Sequence, residues 1–414
     1  MIKRFLMTFS LAASTALVCP ALAFADGPLQ IFVSKATQTL TLYEGDDLVA
    51  TSKVSTGKSG HRTPSGVFSI LEKRKYHKSN IYSDAPMPFM QRLTWSGIAL
   101  HEGRIPDYPA SHGCVRLPRD FARSLYGMTR RGVHVIITKA PIEPRKIVHA
   151  VLFAPSLPAP SPALLSDAGP EPASGLRGSQ AIEVAMKASN TRSAPGILRE
   201  AEEPAALRML ITRRTVTDQV RDVQEMLTEL GFDTGTADGV LGSKTIAAIK
   251  GYRAAHEIGK NGGILSEEFL ESLYHIAGRP QPAAGKLLVR SEFEPLFEAD
   301  VGIRDPHLGL GTHFLVLTSS DRERHMAEWR GATLTDKLTN SAMARLGITQ
   351  PADNGALSTA EAALARIEIP DDLRSRVETL LGAGSSLTIS DNGTSIETGK
   401  GTDFITLTRD EMGG

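Results

Sequence analysis

The stretch 101–117 gathers side chains that could carry out nucleophilic catalysis. Its reactive members are His101, Ser111, His112, Cys114 and Arg116. A helix could not cross the two prolines and the glycine in this stretch, so it is a loop, and reactive side chains on a loop point to function. A cysteine needs a base to form a thiolate near neutral pH, and the two histidines are the available bases. The sequence therefore predicts a cysteine nucleophile with a histidine partner.

Strands are expected to position this loop. Alternating apolar and polar residues predict an opening hairpin followed by further strands, and the segment 119–128 has the pattern of a short helix. The predicted strands cover residues 30–33, 39–43, 48–54, 67–71, 96–100 and 132–137. The strand 96–100 would deliver His101 at its end. His134, in the last strand, is expected to be structural.

The N-terminus predicts an export signal. Lys3 and Arg4 precede an apolar run over 5–18 that is too short to span a bilayer, and Ala23-Phe24-Ala25 has the form of a cleavage site. We therefore expect a signal peptide over residues 1–25 and an exported protein. A lipoprotein signal ending at Cys19 is the alternative, but the preceding residues lack the small side chain that such a site needs.

Removal of that signal would leave Cys114 as the only cysteine of the chain. An exported protein meets conditions in which thiols form disulfides, and a solitary cysteine cannot form an internal one. Cys114 is then either buried and inert or used in chemistry. Its position beside a histidine and a glycine in a loop favours use.

The length predicts a multidomain chain. We expect a mainly-β domain over 26–140 and a Pro/Ala/Ser-rich linker over 141–214 with an isolated helix near 198–210. An all-α three-helix domain follows over 215–278, its first helix ended by Gly231 and the others capped by Ser243 and Ser266. The last segment, 286–414, is expected to be a small α+β domain of unknown role. Its predicted elements are a strand at 312–317, helices at 359–366 and 371–381, and paired strands at 387–389 and 404–407.

Charge and spacing argue against several other functions. The 46 Lys and Arg residues are balanced by 46 Asp and Glu residues, so no global field favours nucleic acid or membrane. The basic run 73–78 is expected to be a solvated loop. Gly57-Lys58-Ser59 is similar to the end of a phosphate-binding loop. Such a loop needs a glycine five residues before Gly57, where this chain has Ser52, and a helix after it, which the pattern does not predict, so we expect no nucleotide binding. The histidines lack metal-ligand spacing elsewhere in the chain, and no metal or cofactor is expected.

Three separated motifs over residues 29–139 resemble the L,D-transpeptidase family with the YkuD-type catalytic domain. They are the Thr56-Gly57 to Phe68 stretch with its Thr-Pro-Ser-Gly sequence, His101, and Ser111-His112-Gly113-Cys114-Val115-Arg116-Leu117. The resemblance implies catalytic roles for Cys114 as nucleophile, His101 as base, and Ser111, His112 and Gly113 in the loop and oxyanion site. It implies substrate-binding roles for Thr63, Pro64 and Gly66. Arg116 is expected to hold a substrate carboxylate or to lower the pKa of the thiol, and a hydrogen bond that braces the loop is the equal alternative. The segment between His101 and Ser111 is shorter than in the best-known family pattern, which leaves the shape of the donor site open.

The resemblance also implies a substrate. Cys114 would attack the tetrapeptide stem of peptidoglycan after its third residue, release D-Ala, and pass the acyl group to an amine to form a 3→3 cross-link or attach a wall protein. With water as the acceptor, the same site would be an L,D-carboxypeptidase or endopeptidase. Carbapenems would be covalent inhibitors. Residues 216–277 resemble the small three-helix peptidoglycan-binding module of wall enzymes, which implies glycan strands as partners and a periplasmic or cell-wall location. The motif residues that carry this resemblance are Gln224, Leu227, Gly231, Asp238-Gly239, Gly242, Thr245 and Ala248-Ile249.

Two readings from other classes stay open. A zinc peptidase could use His101, His112 and Cys114 as ligands, although the motif lacks the acidic base of zincins. A non-catalytic wall-binding protein could carry Cys114 without using it. Thiol alkylation, chelation and replacement of Cys114 distinguish these readings.

Overall fold

A computed structural model describes residues 27–79, 84–157, 204–259, 263–352, 358–399 and 401–409. The predicted signal peptide and residues 158–203 of the predicted linker lie outside these ranges. No helix in the described ranges combines the length and the apolar character that crossing a bilayer requires.

The strands and helices follow one another along the chain with these bounds. They are β1 (Leu29–Ser34), β2 (Thr39–Glu44), β3 (Asp47–Lys53), β4 (Ser65–Ser69), β5 (Glu72–Arg74), β6 (Met90–Arg92), β7 (Ala99–Glu102), β8 (Val115–Leu117), α1 (Arg119–Met128), β9 (His134–Thr138), β10 (Arg145–Ile147), β11 (Leu207–Arg213), α2 (Val216–Glu229), α3 (Ser243–Ala255), α4 (Glu267–Ile276), β12 (Gly285–Ser291), β13 (Glu294–Ile303), β14 (Thr312–Asp321), β15 (Met326–Leu334), α5 (Asn340–Arg345), α6 (Ala360–Leu364), β16 (Ile367–Glu368), α7 (Asp371–Leu380), β17 (Ser386–Ser390) and β18 (Thr406–Thr408).

The N-terminal domain confirms the predicted β architecture. In the described residues its main sheet has the strand order β18-β4-β9-β1-β2-β3, and a smaller sheet has the order β5-β6-β7-β8. Apolar side chains of both sheets and of α1 form one buried core, which includes Ile31, Phe68, Leu100 and Leu125. The predicted hairpin and the helix 119–128 are present. The basic run is not a loop throughout, because Glu72–Arg74 pairs with β6 as strand β5.

The C-terminal domain is built on a larger sheet that the sequence did not predict. In the described residues its strand order is β10-β15-β14-β17-β11-β12-β13-β16. Both ends of the predicted linker 141–214 contribute to it: 145–147 pairs with β15, and 207–213 lies between β17 and β12. The helix predicted near 198–210 is therefore wrong over its described end, because 207–210 belongs to the central strand β11, which is paired along both edges.

The helices α2, α3 and α4 form a helical domain inserted between β11 and β12. Thr215 and Ser266 cap α2 and α4 with their side chains, whereas α3 begins at Ser243 itself and has Gly242 as its N-cap. The buried Gln224 amide donates to Asp238 and Thr245 and accepts from the Gly239 N–H. These motif residues therefore organise the α2–α3 loop, and their presence follows from the fold.

The two β domains pack against each other through an apolar layer. Phe32, Val67 and Ile136 of the N-terminal sheet bury themselves against Phe314 and Val316 of the C-terminal sheet. His134, on β9, lies in the same layer, with its ring 4.7 Å from that of Phe314. This buried layer fixes the two domains relative to each other.

The end of the chain returns to the N-terminal domain. Strand β18 pairs antiparallel with β4, and Ile405 is buried in the core of the N-terminal domain. A side chain at Gly66 would meet the Thr406 carbonyl oxygen at 2.1 Å, so a glycine is required under this strand. The expected pairing of 387–389 with 404–407 is wrong, because β17 pairs with β11 and β14 instead.

Ile405→Ala should weaken the N-terminal sheet, whereas Leu407→Ala should not. Removing the fully buried Ile405 side chain leaves a cavity that costs about 2–5 kcal/mol, while Leu407 is 41% exposed and its loss should cost about 0.5 kcal/mol or less. Native-state hydrogen exchange of the β4 and β9 amides measures the difference. Equal exchange in the two variants would show that the C-terminal strand is dispensable to this core.

Candidate active site

The parallel pairing of β7 with β8 brings the reactive side chains together. The register aligns His101 with Arg116, so continuing it by alternation places Ala99 beside Cys114 on the same face. The intervening residues point the other way, into the buried core. All four side chains of the reactive face line one open cavity.

That cavity has a volume of about 430 Å³. Its walls come from β6, β7, β8 and the loops before and after them. The lining residues are His77, Ser79, Ala85, Pro86, Met87, Pro88, Met90, Arg92, Gly97, Ala99, His101, Glu102, Gly103, Arg104, Ser111, His112, Cys114 and Arg116. The cavity is therefore lined by the predicted nucleophile, both predicted bases and three arginines.

The backbone fixes the tautomer of His101. Its Nδ1 lies 2.7 Å from the Glu102 carbonyl oxygen, which can only accept, so Nδ1 carries the proton. Burial lowers the pKa of His101 to about 4, with the nearby Arg116 charge adding to the effect. The ring is therefore neutral at pH 7, and its Nε2 is an available proton acceptor.

Cys114 is held as a neutral thiol in the resting site. Its Sγ donates to the Gly97 carbonyl oxygen at 3.4 Å. Burial raises the pKa of the thiol, while the Ala99 N–H and the charges of Arg116 and Arg92 act in the opposite direction. The neutral thiol thus faces the same cavity as a neutral imidazole, and deprotonation requires a base.

Ser111 stabilises the turn that precedes Cys114. Its buried hydroxyl donates to the Cys114 carbonyl at 2.5 Å and accepts from the Gly113 N–H at 3.1 Å. Gly113 has φ +119°, and a side chain there would meet Ile98 at 2.8 Å. Both residues therefore shape the loop.

Thr63 connects the same turn to the Gly57 loop. Its buried hydroxyl accepts from the Gly57 N–H at 2.8 Å and donates to the Gly113 carbonyl at 2.7 Å. A trans peptide directs its C=O and N–H in opposite directions, so the N–H of Cys114 points away from Thr63. Thr63, Pro64 and Gly66, predicted to bind substrate, are not among the cavity-lining residues. In the structure Thr63 braces the loop and Gly66 lies under β18.

His112 and Arg116 border the cavity in different ways. His112 is exposed, and its ring meets that of His61 edge to face at 4.7 Å. Partial desolvation and the charges of Lys58, His61 and Arg116 lower the pKa of His112. The Arg116 stem packs over Gly103, where an added Cβ would meet it at 2.9 Å. Within the described residues no carboxylate pairs with its guanidinium.

The sequence did not point to Gly97, Arg92 or His77 as site residues. Gly97 reaches the thiol with a backbone carbonyl, which leaves no side-chain signature. Arg92 and His77 join the cavity only because β6 pairs with β7 on one edge and with β5 on the other. In the described part of the chain no group of three or more His, Cys, Asp or Glu side chains is arranged to hold a metal ion.

The buried His101 should make stability depend on acid. Its folded pKa of about 4 lies below the unfolded value of about 6.5, so the unfolded chain binds its proton first as the pH falls. The free energy of unfolding therefore falls as the pH drops below 6.5, by about 3 kcal/mol at pH 4. Urea unfolding at pH 7 and pH 4 measures the drop in the free energy of unfolding between the two pH values. We expect this drop to be smaller by about 3 kcal/mol in His101→Gln than in the wild type, and unchanged in His307→Gln, an exposed control. An identical pH dependence in all three proteins would refute the buried neutral state.

Thr63→Val should destabilise the turn at Gly113 without changing the shape of the side chain. The substitution leaves the partly buried Gly57 N–H and the buried Gly113 carbonyl without their partner, at a cost of about 1–3 kcal/mol. Thr51→Val, an exposed position on β3, is the matched control. Hydrogen exchange at Gly57 and the rate of alkylation of Cys114 report on the loop, and equal values in the two variants would contradict the bracing role.

Two parts of the chain match known protein families. Residues 28–137 match the YkuD family model, the L,D-transpeptidase catalytic domain, and residues 216–273 match the PG_binding_1 model, a peptidoglycan binding domain. No curated protein matches the chain.

Solved structures similar to the chain include three L,D-transpeptidases. That of Mycobacterium smegmatis is 22% identical with a TM-score of 0.26, covering 27% of this chain and 59% of its own. That of Stackebrandtia nassauensis is 29% identical with a TM-score of 0.25, covering 27% and 56%. An LD transpeptidase in complex with imipenem is 22% identical with a TM-score of 0.25, covering 27% and 59%.

The chain thus spans less than two thirds of the length of each of these structures. The second matched domain is named for peptidoglycan binding, and this match gives the chain a cell-wall context. The two matched domains agree with the resemblance of the catalytic motifs and of the helical domain. The protein accordingly carries a YkuD-type L,D-transpeptidase catalytic domain together with a peptidoglycan binding domain of the PG_binding_1 type.

Proposed function

We propose that the protein is a peptidoglycan L,D-transpeptidase that works through an acyl-enzyme on Cys114. One observation carries the proposal: the thiol of Cys114 lines the same open cavity as His101, whose backbone-fixed tautomer leaves Nε2 free to accept a proton. A neutral thiol with a neutral imidazole is a competent pair for nucleophilic catalysis.

The acylation step uses these two groups in turn. The thiol of Cys114 transfers its proton to Nε2 of His101 as the sulfur attacks the carbonyl carbon of residue three of a tetrapeptide stem, which is bonded to the nitrogen of D-Ala. When the tetrahedral intermediate collapses, the amide C–N bond breaks and the D-Ala nitrogen takes that proton from the imidazolium. The products are a thioester on Cys114 and free D-Ala, and His101 is neutral again.

Backbone donors stabilise the charge that develops on the carbonyl oxygen. Thr63 holds the Gly113 carbonyl and thereby directs the Cys114 N–H the other way, and Ser111 fixes the same turn. Each such donor is typically worth about 3 kcal/mol in the transition state. His112 orients the loop from its exposed side.

Arg116 supplies the charge that holds the stem peptide. Arg116 lines the cavity, and a guanidinium can bind a carboxylate with two parallel hydrogen bonds. It is charged at any physiological pH, so a stem carboxylate would pair with it on entry.

The other partners follow from the matched domains. The helical domain would hold glycan strands, and the acceptor would be an amine of a second stem, giving a 3→3 cross-link, or of a wall protein. Because peptidoglycan lies outside the cytoplasmic membrane, the reaction requires export to the periplasm or cell wall, which the signal pattern over residues 1–25 would provide. Carbapenems would acylate Cys114, in line with the imipenem complex of a similar structure.

Incubation of the mature protein with tetrapeptide muropeptides tests the proposal. Mass spectrometry should detect dimers and released D-Ala, and Cys114→Ala and His101→Asn should each lower the rate by at least about a thousandfold, because nucleophile and base act as a unit. His307→Asn, on an exposed loop, should retain the wild-type rate.

Other products would identify other functions. Tripeptides without dimers would indicate a carboxypeptidase, and unchanged muropeptides would indicate a wall-binding protein. Inactivation by a chelator but not by thiol alkylation would indicate a zinc peptidase. A meropenem adduct mapped to Cys114 would support the nucleophile independently of the acceptor.

A further inference from the structure

A carboxylate of the C-terminal domain contacts the turn beside the nucleophile. Glu397 accepts hydrogen bonds from the backbone N–H of Ser96 at 3.1 Å and from the Ser96 hydroxyl through its other oxygen. The two residues are 301 positions apart in the chain. Both oxygens of one side chain are thus used on one residue of the N-terminal domain.

The contacted turn carries the carbonyl that accepts from the thiol. Thr94 accepts from the Ile98 N–H at 3.0 Å through its hydroxyl, which also lies 3.0 Å from the Ser96 hydroxyl. The Gly97 N–H donates to the Thr94 carbonyl at 3.3 Å. Gly97 then presents its own carbonyl to Cys114 at 3.4 Å. Ser96, which Glu397 contacts, is the residue directly before this thiol acceptor in the chain.

The segment that bears Glu397 is itself held in place. The Ser395 N–H donates to the carbonyl of Ile405, which is buried in the core of the N-terminal domain. Arg290 of β12 donates to the Thr402 carbonyl at 3.0 Å and to the Gly399 carbonyl at 2.6 Å. The C-terminal domain therefore presents Glu397 on an anchored loop.

We propose that Glu397 is a positioning residue of the active site, which acts through Ser96 to hold the turn 94–98 and thereby the orientation of the Cys114 thiol. The inference rests on the proposed function, because it assigns the C-terminal domain a role in the chemistry of the same site. Glu397 does not line the cavity and makes no contact with the reacting atoms.

The physical basis is the sensitivity of a reacting sulfur to its two backbone partners. The Gly97 carbonyl favours the thiol, and the Ala99 N–H favours the thiolate. If the turn loosens, the thiol loses its acceptor before β7 is disturbed, so its pKa falls while its direction toward the substrate is no longer fixed. A substitution far from the reacting atoms can slow a reaction substantially if it displaces a reacting group by a small distance.

The experiment compares Glu397→Ala, Ser96→Ala and the double variant with Glu323→Ala, an exposed glutamate in the turn between β14 and β15. The rate of Cys114 alkylation by iodoacetamide is measured against pH, and the rate of acylation by a tetrapeptide muropeptide is measured at pH 7. We expect each single variant to show a lowered thiol pKa and about 3–10-fold slower acylation. The double variant should lose less than the product of the two, because both changes break one interaction.

Glu397→Gln separates positioning from folding. It keeps one acceptor for Ser96 and should recover part of the lost rate, with the same urea midpoint as the alanine variant. An alkylation profile and acylation rate in Glu397→Ala within twofold of Glu323→Ala would overturn the proposal, as would slow acylation with an unchanged thiol profile. Alkylation needs no substrate, so a shifted profile in a protein that acylates no muropeptide would uphold the positioning role and refute the proposed function.

Discussion

The parallel pairing of β7 with β8 is the constraint on which the candidate site depends. Side chains alternate along each strand, so the pairing places apolar residues in the core and, on the opposite face, His101, Cys114 and Arg116 along one cavity. A slip of one residue in either strand would turn its reactive side chain into the core. The bonds of Ser111 and Thr63 at the start of β8 hold the turn that sets this register.

The electrostatic state of the site follows from where that pairing buries its groups. Desolvation lowers the pKa of His101 and raises that of Cys114, so the pair is neutral at rest. Such a site keeps its base available over a wide pH range, since the pKa of His101 lies at about 4. The cations Arg116 and Arg92 act in favour of the thiolate, which would limit the cost of deprotonation once a substrate has entered.

The domains do not follow one another as separate beads along the chain. The helical domain interrupts the C-terminal sheet between β11 and β12, and salt bridges such as Lys286–Asp218 tie it to that sheet. The C-terminal domain in turn gives the N-terminal domain its edge strand β18, the buried Ile405 and an apolar layer that covers β1, β4 and β9. The segment 28–137, which matches the catalytic domain, is therefore only part of a larger packed unit, and Glu397 of the C-terminal domain contacts a turn beside its candidate active site.

Local features could be predicted from the amino-acid sequence. Alternation predicted β1, β2 and β4, apolar periodicity predicted α1 and α2, and the residue types of the Ser-His-Gly-Cys loop indicated the nucleophile and its base, because these signals depend on neighbours a few positions apart. The three-dimensional structure was needed to show which residues line the cavity. It also shows that Thr63 braces a loop and does not line the cavity, and that 207–213 is a strand and not part of a linker or helix. Those outcomes depend on pairing between segments far apart in the chain, such as Ser96 with Glu397 or β4 with β18. Long-range pairing is governed by the burial and hydrogen bonding of whole sheets, and no local pattern of residues specifies it.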